Sequence, residues 1–179
     1  MSYKSCPVVH WFLPLGTACQ TLGLALMVGG MLTLGAFTAP VVFAGLSREL
    51  AAPLMARIFT RFDAVLLIAL ALTLLGEVLR VSAGVLPAKS KLNGFRWLLL
   101  ILLTTGLLFS TQSLNPQIER LNRAGVYRNP ETPAGREFDG LHRRSETVYK
   151  LNMLVALLLL LINPFLKPLP TLSILQKDH

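Results

Sequence analysis

The sequence predicts an all-α fold: a polytopic membrane bundle of four transmembrane helices, with a helical hairpin extending outside the bilayer. Three observations carry this. Hydrophobic residues make up 53% of the 179-residue chain and charged residues only 15%, against about 25% charged in a soluble domain. Four segments, residues 17–43, 59–79, 97–114 and 149–166, are apolar over the length a spanning helix needs, about 20 residues. The 17 Lys and Arg residues collect in short stretches between those runs, where membrane proteins set orientation and meet anionic headgroups. A single integral membrane domain therefore covers residues 1–179, with no space for a separate soluble domain.

The net charge of +8 would suggest nucleic acid in a soluble protein. No Lys/Arg patch interleaved with aromatics occurs here, so nucleic acid is excluded as a partner and the lipid bilayer takes its place. Cys6 and Cys19 are too few and too poorly spaced for a disulfide framework or a zinc site. The stretch after Lys4 resembles a signal sequence, and "LGTAC" ends at Cys19 like a lipoprotein cleavage box. The apolar character nevertheless continues from Gln20 past Val42, which argues for an uncleaved first span.

The first span is rich in small residues: Gly16, Gly23, Ala25, Gly29, Gly30, Gly35 and Ala39. Ala25/Gly29 and Gly35/Ala39 are spaced to let helix backbones approach closely, either within the bundle or in a homodimer seam. Gly29, Gly30, Gly35 and Pro40 are the candidate helix-packing residues, and Pro40 is expected to bend the last turn. After the third span, "NPQIERLNRAG" continues a helix past Pro116 to a C-cap at Gly125, and "YRNPETPAG" reads as a break. From Arg136 to Ile162 the pattern is helical again. Residues 115–148 thus form the hairpin expected outside the bilayer.

Four spans put both termini on one side, termed side A, with the connection between the second and third spans. Side A carries Lys4, Arg80, Lys89, Lys91, Arg96, Lys167 and Lys177. Side B carries Arg48, Arg57, Arg61, Arg120, Arg123, Arg128, Arg136, Arg143, Arg144 and Lys150. The excess on side B places the 115–150 connection in the cytoplasm.

Polar residues also converge in the pattern. At 100° per residue, Phe138, His142, Ser145, Tyr149 and Asn152 fall within about 80° of one another, with the histidine on the inward face. Asp63, Asn115 and Glu119 arrive at the same level from the second and third helices, and Glu146 lies one turn after His142. Asp63, Asn115, Glu119, His142, Ser145, Glu146, Tyr149 and Asn152 are therefore the candidate polar cluster. Such groups either tie helix ends together or mark a binding site, and both readings stay open. Glu77 lies 14 residues beyond Asp63, about 21 Å along a helix, and pairs with Arg80 three residues on.

No nucleophile–base pair or defended carboxylate pair stands out, so no catalytic residue is assigned and the protein is read as a non-enzyme. His10 and His142 lie at opposite ends of the bundle and cannot share a metal or a haem. No Glu-x-x-His pair is present. Neither a cofactor nor a metal is assigned.

"GGMLTLGAFTAPVVF", "ARIFTRFDAV", "LNPQIERL" and "FDGLHRRSETVYKLN" together resemble the transmembrane protein 205-like family of small four-span proteins carrying a domain of unknown function. The motifs are Phe37 and Pro40, Asn115 and Pro116, and Leu141, His142 and Ser145. The resemblance implies an integral membrane protein with no established reaction or cofactor. The function read from the sequence is a structural or accessory membrane component that packs with itself or within a larger membrane complex. The alternative is a small transporter or metal-handling protein working through His142 and Asp63, with a membrane enzyme third.

Overall fold

A computed structural model describes residues 9–83, 91–126 and 131–165. Lys4, Cys6, Lys89, Arg128, Lys167 and Lys177, which entered the readings above, lie outside the described residues. The described chain is helical, and four of its helical segments are long and apolar enough to cross a membrane: Trp11–Gly45, Leu50–Ser82, Lys91–Arg123 and Pro133–Ile162. This is an integral membrane helical bundle.

The first segment is α1 (Val9–Leu32), a π-turn (Thr33–Thr38) and α2 (Ala39–Gly45). The second is α3 (Arg48–Ser82). The third is α4 (Lys91–Phe109), a second π-turn (Ser110–Leu114) and α5 (Asn115–Arg123). The fourth is α6 (Pro133–Ile162), closed by a 3₁₀ turn at Asn163–Phe165. The 35 residues of α3 rise about 52 Å, well beyond a hydrocarbon core of about 30 Å. Each of the four spanning segments is longer than the apolar run that identifies it, because its ends continue into residues that favour helix without being apolar.

Each π-turn runs directly into a proline. Ala39 N–H bonds back to the Leu34 carbonyl and Pro40 follows; Asn115 N–H bonds back to Ser110 and Pro116 follows. Proline has no N–H to give, so the change from i→i+5 to i→i+4 bonding occurs at a residue that would contribute no bond in either register. Pro40 therefore widens the helix one turn earlier rather than ending it, and α2 runs on to Gly45. The chain turns back at Leu46 and Ser47, both extended, before α3.

At the other reversal, Gly125 has φ of 72°. Its N–H bonds to the Asn122 carbonyl at 3.0 Å, and Val126 N–H bonds to Leu121 at 3.0 Å. This is the C-cap expected at Gly125, with glycine accommodating the left-handed backbone. α6 starts three residues before the expected Arg136. Thr132 caps it, its Oγ1 accepting from Gly135 N–H at 3.1 Å, and Pro133 occupies the first turn. Pro164, just past Ile162, ends it.

α1 packs most extensively along α3 and also against α6, which packs in turn on α4. The α1–α3 contact brings backbones together. A Cβ on Gly23 would lie 2.4 Å from Thr73 Oγ1 and 2.5 Å from the Ala69 carbonyl, and one on Gly16 would lie 2.8 Å from the Gly76 carbonyl. Gly30 meets the Phe62 ring. Gly29 has nothing within 4 Å and Gly35 only the Tyr149 ring, at 3.7 Å. Of the expected packing residues, Gly30 lies in a tight helix contact of this chain. Gly29 and Pro40 face outward. The closest contacts use Gly16, Gly23 and Gly76.

The core is an apolar slab formed by Leu24, Met27 and Met31 of α1, Leu66, Ala69 and Leu70 of α3, Leu99, Leu100, Leu103 and Leu107 of α4, and Val155, Ala156 and Leu159 of α6. The outer surface is apolar as well, with Leu22, Ile68, Leu98, Ile101 and Leu161 all exposed. An apolar band of this kind is covered by lipid acyl chains. Gly23→Ala is expected to cost about 1–3 kcal/mol of stability, read as a lower thermal unfolding midpoint in detergent, whereas Gly29→Ala does not lower it. Equal midpoints for the two variants would contradict the packing described here.

Candidate functional site

Two polar layers bracket the apolar slab. The first lies on side B, at the level of the π-turns. α3 presents Asp63, whose Oδ2 accepts from Asn115 Nδ2 at 2.7 Å. Asn115, the first residue of α5, accepts in turn from Ser145 Oγ of α6 at 3.4 Å. One turn further, Tyr149 OH donates to the Met31 carbonyl at 2.7 Å, tying α6 to α1 just before its π-turn. Asp63, Asn115, Ser145 and Tyr149 therefore assemble at one level, drawn from α3, α5 and α6.

The other members expected there do not join them. His142 is exposed, stacked on Phe138 with ring centroids 6.2 Å apart. It faces outward, contrary to the inward placement drawn from the helical period. The stripe is about 80° wide, and the packed contact of α6 takes only the Leu141, Ser145, Tyr149 and Asn152 side of it. Glu119 pairs with Arg123 at 2.5 Å and Glu146 with Lys150 at 2.7 Å. Both are surface i,i+4 pairs, worth a few tenths of a kcal/mol. Asn152 is buried deeper, against Gly106, where a Cβ would fall 2.2 Å from its Oδ1. Its Nδ2 has no hydrogen-bond partner. Among the described residues no group of three or more His, Cys, Asp and Glu could hold a metal.

The second layer lies at the side A end and is more deeply buried. Arg96 of α4 makes a bidentate pair with Glu77 of α3. Glu77 Oε2 also accepts from Gln20 Nε2 of α1 at 3.2 Å. Gln20 Oε1 accepts from Arg80 Nη1 at 2.5 Å, and the same nitrogen reaches Asn163 Oδ1, just past α6, at 3.5 Å. Asn93 Oδ1 accepts from Arg96 Nε at 3.4 Å, and the Arg96 guanidinium lies 5.6 Å from the Trp97 ring centroid. Arg96 and Gln20 are 0% exposed, and Glu77 and Arg80 3%. Elements from every spanning segment meet here.

This arrangement corrects the Glu77–Arg80 pairing expected from i,i+3 spacing. Glu77 is taken by Arg96, and Arg80 turns to the neutral amides of Gln20 and Asn163. A signal for the true partner was present in the sequence. Glu77 lies five residues before the end of α3 and Arg96 five residues after the start of α4. In an antiparallel pair, residues equidistant from the turn share a depth. Chemically, the layer is a clamp: a bidentate carboxylate–guanidinium pair with the Gln20 amide donating to the carboxylate and the Asn93 amide accepting from Arg96 Nε.

A family model described as a domain of unknown function (DUF4149) matches residues 22–126, more than half of the chain. The chain belongs to this family. Neither the curated proteins nor the solved structures compared with it include a match. The DUF4149 match runs from α1 to the cap after α5, so it contains Asp63, Glu77, Arg96 and Asn115. It leaves out Gln20 of α1, α6 with Ser145 and Tyr149, and Asn163 just past α6.

Glu77→Gln leaves the Arg96 guanidinium buried without its charge partner and is expected to cost about 3–5 kcal/mol, read as a fall of about 10 °C in the unfolding midpoint. The double variant Glu77→Leu with Arg96→Leu should recover most of that loss. His142→Ala, at an exposed position, should leave the midpoint unchanged.

Proposed function

We propose that this DUF4149 protein is a non-enzymatic structural or accessory component of its membrane, assembling with copies of itself or within a larger membrane complex. One observation carries the reading: Gln20, Asp63, Glu77, Arg96, Asn115, Ser145 and Tyr149 are engaged in ties between helices, with an apolar slab between the two layers. A transporter needs polar groups along a route, and an enzyme needs a reactive group held beside a base. The resemblance to the transmembrane protein 205-like family is in keeping with this role. The basic residues of side B, in the Arg48–Arg61 stretch and around α5 and α6, support a cytoplasmic position for that end and for the α5–α6 hairpin.

The assembly surface in this proposal is the outward face of α1, where Ala25 and Gly29 are exposed and a Cβ on Gly29 would meet nothing. Without side chains to hold them apart, two such faces can approach to backbone contact. A second reading, a small transporter, draws on one observation: the half-buried Asp63 carboxylate accepts from the neutral amide of Asn115.

Gly29→Leu is expected to abolish assembly on size-exclusion chromatography in mild detergent while the unfolding midpoint holds. Asp63→Asn separates the two readings. A stability loss of about 1–2 kcal/mol, read as a lower midpoint, fits the structural role. Loss of solute flux into vesicles at an unchanged midpoint would overturn it in favour of transport.

A further inference from the structure

The side A layer does not balance its charge. Glu77 is engaged by Arg96 through both carboxylate oxygens. Arg80, equally buried, meets the amide oxygens of Gln20 and Asn163 but no carboxylate among the bonds and ion pairs of the described residues. Its Nε has no hydrogen-bond partner, and neither does the adjacent Asn163 Nδ2, on a residue 9% exposed. Two donors and one positive charge are therefore left over in one place.

The chain has little with which to neutralise them. Apart from Glu77 and Asp178, its acidic residues lie between Glu49 and Asp63 or between Glu119 and Glu146, at the opposite end of the bundle. Arg80 stands in the last turn of α3, where the helix C-terminus offers a partial negative charge of about half an electron, short of a full counter-charge. A buried guanidinium without an anion is costly in any low-dielectric setting.

Arg80 lies two residues before the end of α3, and Asn163 is the first residue past α6. Both are thus at the end of the bundle where the apolar runs stop and lipid phosphates begin. Trp11 and Trp97, both exposed, lie toward the same end of the bundle, as interfacial tryptophans do.

We infer that Arg80 and Asn163 form a binding site for a phosphate-bearing anion, with Nε of Arg80 and Nδ2 of Asn163 donating to its oxygens. The guanidinium edge matches phosphate geometry, and Gln20 holds the other edge in place from α1. The Glu77–Arg96 pair keeps the second positive charge neutral, so the anion answers to Arg80. Lipid headgroups and free phosphate share this chemistry.

The test is thermal unfolding of the full-length, delipidated protein in uncharged detergent at low salt. The probes are dioleoyl-phosphatidylglycerol, inorganic phosphate and a phosphate-free galactolipid. The expected result is a rise of at least about 3 °C with one of the phosphate-bearing probes and none with the galactolipid. A response to phosphatidylglycerol alone identifies a headgroup, and an equal response to inorganic phosphate identifies a soluble anion. Arg80→Gln, which keeps an amide against Gln20, loses the response, and Lys91→Gln, at an exposed position nearby, keeps it. Asn163→Asp places a carboxylate beside Arg80, so it starts from a higher midpoint without any probe and no longer responds. The site is overturned if wild type responds to no phosphate-bearing probe or to the galactolipid equally, or if Asn163→Asp responds like wild type.

Discussion

The side chains of Arg96 and Glu77 meet where water is scarce, and much of the bundle's arrangement follows from that meeting. α3 and α4 are neighbours in sequence, yet they have little contact along their lengths. The bidentate pair, with Gln20 bridging to α1, links helices that hydrocarbon packing alone leaves apart. In lipid no hydrophobic effect distinguishes one helix neighbour from another, since acyl chains are as apolar as leucine. A buried charge is different: it has one satisfactory partner and a large penalty for every other arrangement. The pair therefore specifies which helix ends belong together and at what depth.

Depth is the second constraint. Asp63 and Glu77 stand 14 residues apart on α3, about 21 Å, less than the thickness of a hydrocarbon core. The two polar layers are consequently pulled toward the membrane from both ends, and the slab of Leu, Met, Val and Ala between them is left to van der Waals packing. Close packing there depends on Gly16, Gly23 and Gly76, whose missing Cβ atoms let α1 and α3 touch backbone to backbone. The side B layer, made of an amide, a hydroxyl and a phenol around one carboxylate, is the gentler of the two. It lies beside the π-turns ahead of Pro40 and Pro116, where the helices shift register to keep their backbone bonds.

Much of the fold was legible because it is written locally. A run of about 20 apolar residues forms a spanning helix wherever it stands, so the four-helix count, the cap at Gly125 and the reversal before α6 followed from short stretches. The site was legible only in part. Asp63, Asn115, Ser145 and Tyr149 do meet, as their positions near the ends of their helices suggested. His142 and Glu146 were drawn in by the helical period and Glu119 by its level, but all three lie outside the packed contact, because direction and depth do not give the width of the neighbour's footprint. The Glu77 partner was misjudged because i,i+3 spacing offers a nearby arginine, while the geometry of the hairpin offers a better one 19 residues away.

By itself the sequence determined that this is an all-α integral membrane protein of four spans, with basic connections and polar residues at the helix ends. Those properties depend on composition over a turn or a span, and each segment satisfies its own backbone hydrogen bonds. The tertiary structure alone decided which glycines touch, which face of α6 is buried, and that Arg80 is left to amides. These choices depend on the relative rotation and depth of helices that are distant in sequence, and a shift of one residue in either turns every side chain by 100°. Local pattern cannot supply that registry, because it is settled by the packed bundle as a whole.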